Sequence, residues 1–150
     1  MFCKSAVVFC EDLLFVFMVM LKGPKVANVK RAFYYYRMND ASVSNTVHKD
    51  EHYESLKYVG EEMYKLAPND CIMVCVRRWM AEYRFLAFKE ESVTNEFFRT
   101  FFADIKDIST VRCSWLHRFL FNLALCGCLG RTIAMYIMIT YRNIKGTRRV

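Results

Sequence analysis

The chain has 150 residues, 55% of them hydrophobic, 25% charged and 16% aromatic, with 5 Gly and 2 Pro, a composition that excludes disordered, collagen-like and linker sequences. One domain spanning residues 1–150 is expected, burying about 68–70% of the surface of the extended chain. The formal charge of +7 is concentrated at one end: no acidic residue follows Asp107, whereas Arg112, Arg118, Arg131, Arg142, Lys145, Arg148 and Arg149 do, and the other 15 basic residues balance the 15 acidic ones.

Ser5 to Leu21 reads as a first helix, apolar nearly all round and stopped by Gly23-Pro24. Its apolar core is not expected to act as a secretory signal. Glu11 and Asp12 stand where such a signal carries positive charge, and Lys22-Gly23-Pro24-Lys25 offers no small-residue cleavage site. Val26 to Met38 is a second, shorter helix candidate, and the Asn-, Asp- and Ser-rich stretch Asn39–Asn45 reads as a loop. A third helix runs from His48 to Leu66 and closes at Ala67-Pro68-Asn69. Asp70 can cap a fourth, on which Ile72, Cys75, Val76, Trp79, Tyr83 and Leu86 recur at helical spacing. Ser92 can cap a fifth that continues to Ile108, and either Ser109 or Ser114 opens a sixth. A seventh follows Gly130 to Ile144, with Gly146 past its end.

Phe119–Tyr141 is long enough to span a bilayer, but Asn122 lies within it and Arg131 near its centre, where an arginine costs about 2.5–3.5 kcal/mol on insertion scales. Two buried helices of about a dozen residues each, meeting at Gly127-Cys128-Leu129-Gly130, account for the same letters. The predicted fold class is all-α, a bundle of about seven helices around a central apolar hairpin formed by the sixth and seventh.

Catalytic and metal-binding patterns are weak. His48, His52 and His117 lie far from any cysteine pair with zinc spacing, and Cys71 and Cys75 share an apolar helix face. The 7 cysteines are odd in number and lack a CxxC pair, favouring a reducing compartment, and Cys126-Gly127-Cys128 has the wrong spacing for a redox dithiol. Glu61 and Glu62 are adjacent, so on a helix they diverge by about 100° and cannot form a carboxylate dyad. No phosphate-cradling glycine loop or nucleophile elbow occurs. Neither an enzyme, a cofactor nor a metal is expected. Nucleic-acid binding is not expected either, because the basic residues of the last third are interleaved with long apolar runs. Tyr34-Tyr35-Tyr36 beside Lys30, Arg31 and Arg37 is the best local patch, and a tyrosine-rich packing helix explains it.

Leu56-Lys57-Tyr58-Val59-Gly60-Glu61-Glu62-Met63 sets Leu56, Val59 and Met63 in one apolar stripe, with Gly60 permitting close approach of a neighbour and Glu61 beside the stripe. This segment resembles the Leu-x-x-x-Gly-Asp-Glu-hydrophobic core of the third homology segment of the Bcl-2 family, the death helix, with Glu61 for the usual Asp. Downstream, Glu96-Phe97-Phe98-Arg99 resembles the start of that family's fourth helix. Cys113-Ser114-Trp115-Leu116-His117 falls where Asn-Trp-Gly-Arg opens the family's central helix, with only Trp115 retained. A rival frame sets Gly130-Arg131-Thr132-Ile133-Ala134-Met135 on the family's Gly-Arg-Ile-Val-Ala-Phe. The resemblance covers residues 50–145, and the family's second homology segment is not recognisable.

The resemblance implies a Bcl-2-like bundle whose hydrophobic groove takes the amphipathic death helix of a pro-apoptotic partner, a helix-in-groove mode of recognition. It points to Trp115 by motif position, to Arg118 or His117 for an ion pair with the ligand, and by groove location to Phe97, Phe98, Phe101, Phe102 and Phe119. A chain rich in Phe, Tyr, Cys and Met that keeps the helix order but few signature letters resembles a fast-diverged viral member, of the iridovirus kind. The implied role is inhibition of host apoptosis in the cytoplasm, at the mitochondrial outer membrane, where the basic tail Arg142 to Arg149 suits an anionic surface. A second copy of the chain is a further candidate to cover an apolar groove. Two alternatives stay open: a membrane-inserting helical protein, and a pro-apoptotic family member that presents Leu56–Met63 itself.

Overall fold

The computed structural model describes residues 10–23, 25, 27 and 49–147. Among these the chain is all-helical, with α1 at Glu11–Met20, α2 at Lys49–Leu66, α3 at Asp70–Lys89, α4 at Asn95–Thr100, α5 at Trp115–Leu125 and α6 at Cys128–Thr147, and no strand. The predicted second helix, the Asn39–Asn45 loop and the tyrosine patch lie outside the described residues. Contacts divide the chain into two compact units, residues 1–72 and 73–150, with the division falling inside α3.

In the first unit α1 packs against α2. Glu11 and Asp12 occupy the first turn of α1, where the helix dipole favours carboxylates, and Leu14 is its buried residue. On α2 the buried positions are Ser55, Leu56, Val59, Gly60 and Met63, one stripe at helical spacing. Pro68 keeps Ala67 out of the helical region, so α2 stops at Leu66 as the sequence predicts.

α3 starts one residue earlier than Asp70 capping implies, because the Asn69 side-chain oxygen accepts from the Ile72 N–H at 3.0 Å and Asp70 becomes the first helical residue. Its inward face also differs. Of the predicted face Val76 is buried and Ile72, Trp79 and Tyr83 are half-buried, but Cys75 and Leu86 are exposed, and the other buried residues are Met80, Ala81, Arg84, Phe85, Ala87 and Phe88. An arginine in the middle of that row disguises it as a polar face.

The predicted fifth helix is much shorter. Its cap is Thr94 rather than Ser92, with Oγ1 accepting from the Phe97 N–H at 3.1 Å, and α4 ends at Thr100. Phe101 is extended and Phe102 has φ 49°, a left-handed conformation uncommon outside glycine. Ile105, Ile108 and Val111 are buried beyond this break without forming a helix.

Ser114, not Ser109, opens α5 by accepting from the His117 N–H. The link to α6 is a single turn in which Gly127 has φ 124°, available to glycine at little cost. α6 begins at Cys128, before Gly130, and runs through Gly146 to Thr147. The predicted hairpin is present, α5 folding back on α6, but it is not enclosed, since both helices keep an apolar row in solvent. The helices approach closely at Gly130, where a Cβ would overlap the Leu123 carbonyl oxygen. Gly130→Ala is therefore expected to destabilise the protein by about 1–3 kcal/mol despite alanine's better helix propensity. Urea denaturation checks this; an unchanged or higher midpoint would show that the hairpin can open without loss.

The core of the second unit is aromatic. Phe88 and Phe121 meet edge to face with centroids 5.6 Å apart, Phe98 meets Phe121 at 6.2 Å and 89°, and all three are buried. Such pairs add about 0.5–1.5 kcal/mol each beyond area burial.

Candidate functional site

The residues singled out in the sequence separate by depth. Phe98, Phe101 and Phe102 are buried in the second unit, and Phe97 is half-buried, stacked on Phe101 at 5.4 Å. Their side chains serve the interior, so in this conformation they offer a partner little surface. Trp115, 78% exposed, and Phe119, 58% exposed, lie at i and i+4 on α5. His117 is half-buried; its Nδ1 hydrogen-bonds with Ser114 Oγ at 2.7 Å, and its ring meets the edge of Phe85 at 6.1 Å.

Arg118 is exposed on the first turn of α5, between Trp115 and Phe119 in sequence. Its Nη2 donates to the carbonyl oxygens of Ser109 at 3.1 Å and Val111 at 3.3 Å, tying the preceding loop to the helix. Asp107 lies in the same field. Its carboxyl is held below the usual range, first by the Ser109 hydroxyl and N–H that it accepts from and further by the Arg118 charge. Of the two ion-pair candidates, Arg118 has the more accessible side chain.

The death-helix-like segment occupies the interior face of α2. Leu56, Val59, Gly60 and Met63 are buried and Glu61 is exposed. The neighbouring Glu62 pairs with Lys65 at 2.8 Å, an exposed bridge that raises the Lys65 pKa and contributes little to stability.

Two features were not predicted. One is a row of exposed apolar residues on α6, Leu129, Ile133, Tyr136, Ile137 and Tyr141, at i, i+4, i+7, i+8 and i+12. Its spacing is legible in the sequence, but Ala134, Met135 and Met138 supply a second apolar set on the same helix, so periodicity alone does not say which set faces water. The other is a pair of buried arginines. Arg131, 4% exposed, donates through Nη1 to Asn95 Oδ1 at 2.8 Å and through Nη2 to the carbonyl oxygens of Ala87 and Glu90, at the end of α3 and just past it. Arg84, 3% exposed, donates through Nη1 to the carbonyl oxygens of Phe101, at 2.6 Å, and Phe102. Each guanidinium carbon stands 5.1 Å from the centroid of Phe98. Burial lowers the pKa of both, that of Arg84 to about 10, so Arg84 stays charged at neutral pH. Under the rival Gly130-Arg131 frame the ligand-pairing arginine would be Arg131, which in the structure is buried and donates to the Ala87 and Glu90 carbonyls, each of which also accepts a backbone N–H.

Among the described residues no group of three or more His, Cys, Asp or Glu side chains is placed to hold a metal ion. None of the described helices is long and apolar enough to cross a membrane. Comparison with known protein families, with curated proteins and with solved structures finds no match for the chain.

Proposed function

We propose that this chain is an inhibitor of host apoptosis that sequesters the amphipathic death helix of pro-apoptotic Bcl-2-type proteins. The observation that carries this reading is the uncovered apolar rows of the α5–α6 hairpin, Trp115 and Phe119 on one helix and Leu129, Ile133 and Tyr136 on the other, in a region with no acidic residue. A helix with an apolar face and an acidic flank is complementary to such a surface in both hydropathy and charge. Trp115 supplies a large anchor, and Arg118 beside it supplies the cation for the ligand's carboxylate. The Ser114 cap sets Trp115 at the start of its helix, as the resemblance requires.

The opposite sign of activity, presentation of Leu56–Met63 to a partner, requires Leu56, Val59 and Met63 to leave the interior. Burial of that stripe therefore favours the inhibitor reading.

Titration of the full chain with a panel of death-helix peptides is expected to show binding at micromolar concentration or tighter. Arg118→Glu should weaken it by more than about tenfold, since loss of a charge-assisted contact is joined by like-charge repulsion. No binding by any peptide overturns the proposal. Loss of affinity on His117→Ala with none on Arg118→Glu moves the ion pair to His117. Binding to anionic vesicles in place of any peptide would assign the same aromatic and basic surface to a membrane.

A further inference from the structure

A cavity of about 320 Å³ in the second unit is lined by Arg84, Arg99 and Lys106, with Phe98, Ala103 and Leu125 among its apolar walls. No carboxylate lines it. We propose that it binds a phosphate group of a small ligand or of a lipid head group, independently of any helix bound on the α5–α6 surface.

Arg84 is the reason the cavity suits an anion. Its guanidinium is buried, and its hydrogen bonds go to the neutral carbonyls of Phe101 and Phe102. Its Nε is buried and donates to nothing among the described residues. Asp104 acts on this charge only through its field and does not line the cavity. A buried cation without a counter-ion is costly, and an anion entering beside it relieves that cost. The carbonyl bonds also fix the guanidinium in place before any ligand arrives, so little ordering entropy is lost on binding.

Arg99, at the end of α4, and Lys106, in the loop beyond, are exposed and bring two further cations to the same cavity. Three cations match a phosphate better than a carboxylate, because a phosphate carries close to two negative charges and three acceptor oxygens at neutral pH. The apolar walls lower the local dielectric and strengthen each contact. The volume is at the small end of ligand sites, which run from about 300 to 1,000 Å³, so the ligand is a compact phosphate ester or a single head group.

The test is thermal unfolding of the full chain with inorganic phosphate, against chloride at equal ionic strength. Phosphate at millimolar concentration is expected to raise the midpoint where chloride does not, since a ligand that binds only the folded state stabilises it. The double variant Arg99→Ala/Lys106→Ala, confined to exposed side chains, should keep the helical circular dichroism spectrum and weaken phosphate binding by about tenfold or more. Amide chemical shifts of Ala103 and Gly127 provide a second readout that does not depend on stability. No phosphate-specific rise, or a rise unchanged in the double variant with no shift at those amides, overturns the proposal. Vesicles of phosphatidylcholine with and without phosphatidic acid then separate the sources. Capture only by the acidic vesicles in an Arg99- and Lys106-dependent manner assigns a lipid head group, and binding of inorganic phosphate without vesicle capture assigns a soluble ester.

Discussion

Arg84→Ala is expected to cost about 3–5 kcal/mol, among the largest effects of any single change in this chain. The substitution removes a charged donor from the Phe101 and Phe102 carbonyls, the second of which keeps the Ile105 N–H, and a hydrogen bond to a charged group contributes about 1.5–3 kcal/mol. It also withdraws a side chain packed over Phe98 and leaves the volume empty. Phe102 keeps its left-handed φ only while the surroundings hold it, so the segment after α4 should rearrange. Arg84→Met separates the contributions: methionine refills much of the volume and removes the buried charge but cannot donate, so it should recover part of the loss, not all. Urea denaturation of the two variants checks this. A cost for Arg84→Ala below about 1 kcal/mol would mean that the carbonyls find other donors and that Arg84 does not hold the turn.

Phe121→Ala is expected to destabilise the fold by a similar amount, about 3–5 kcal/mol. Phe121 is fully buried, and its ring lies 5.6 Å from Phe88, 6.2 Å from Phe85 and 6.2 Å from Phe98 between centroids, so truncation removes three aromatic contacts and opens a cavity. Phe119→Ala, two residues away on the same helix, is expected to change stability by less than about 0.5–1 kcal/mol because that side chain is already mostly in water. The pair also tests the proposed function: Phe119→Ala should weaken peptide binding while leaving the urea midpoint in place. Equal loss of stability in both variants would mean that the exposed row belongs to the core in solution.

Several elements were legible before the structure. Pro68 ends α2, one of the two candidate serines, Ser114, caps α5, and a short glycine-bearing link joins the hairpin helices, at Cys126 and Gly127 in place of the expected Gly127–Gly130. Each depends on a residue and its neighbours within one turn. The stripe Leu56, Val59 and Met63 was likewise visible as an inward face, because α2 carries enough charge elsewhere to leave one apolar side. Trp115 and Phe119 were identified as partner-binding candidates only through the family resemblance, and their side chains are exposed. Phe98, Phe101 and Phe102 were identified on the same grounds, and they are interior. Letters alone could not separate these two groups, since a phenylalanine at a pocket and one in the core carry the same hydropathy.

The arginines show where local reading ends. By composition Arg84 belongs on a solvated face, and an apolar row drawn without it turns α3 toward Cys75 and Leu86. Phe98, Phe101, Phe102, Ile105 and Ile108 follow one another at helical spacing, so the sequence extends the fifth helix to Ile108. The chain turns instead after Thr100, where carbonyls are drawn to a guanidinium 17 and 18 residues away. The sequence by itself therefore determined the all-α class, the stop at Pro68 and the pairing of the last two helices, because spacing, proline and glycine act within a turn, whereas two of the caps fall one or two residues from the expected side chain, at Asn69 and Thr94. Only the tertiary structure decided which face of α3 turns inward, where α4 stops and which rows of the hairpin remain in water. Those outcomes depend on long-range hydrogen bonds from two buried arginines, and no local pattern records them.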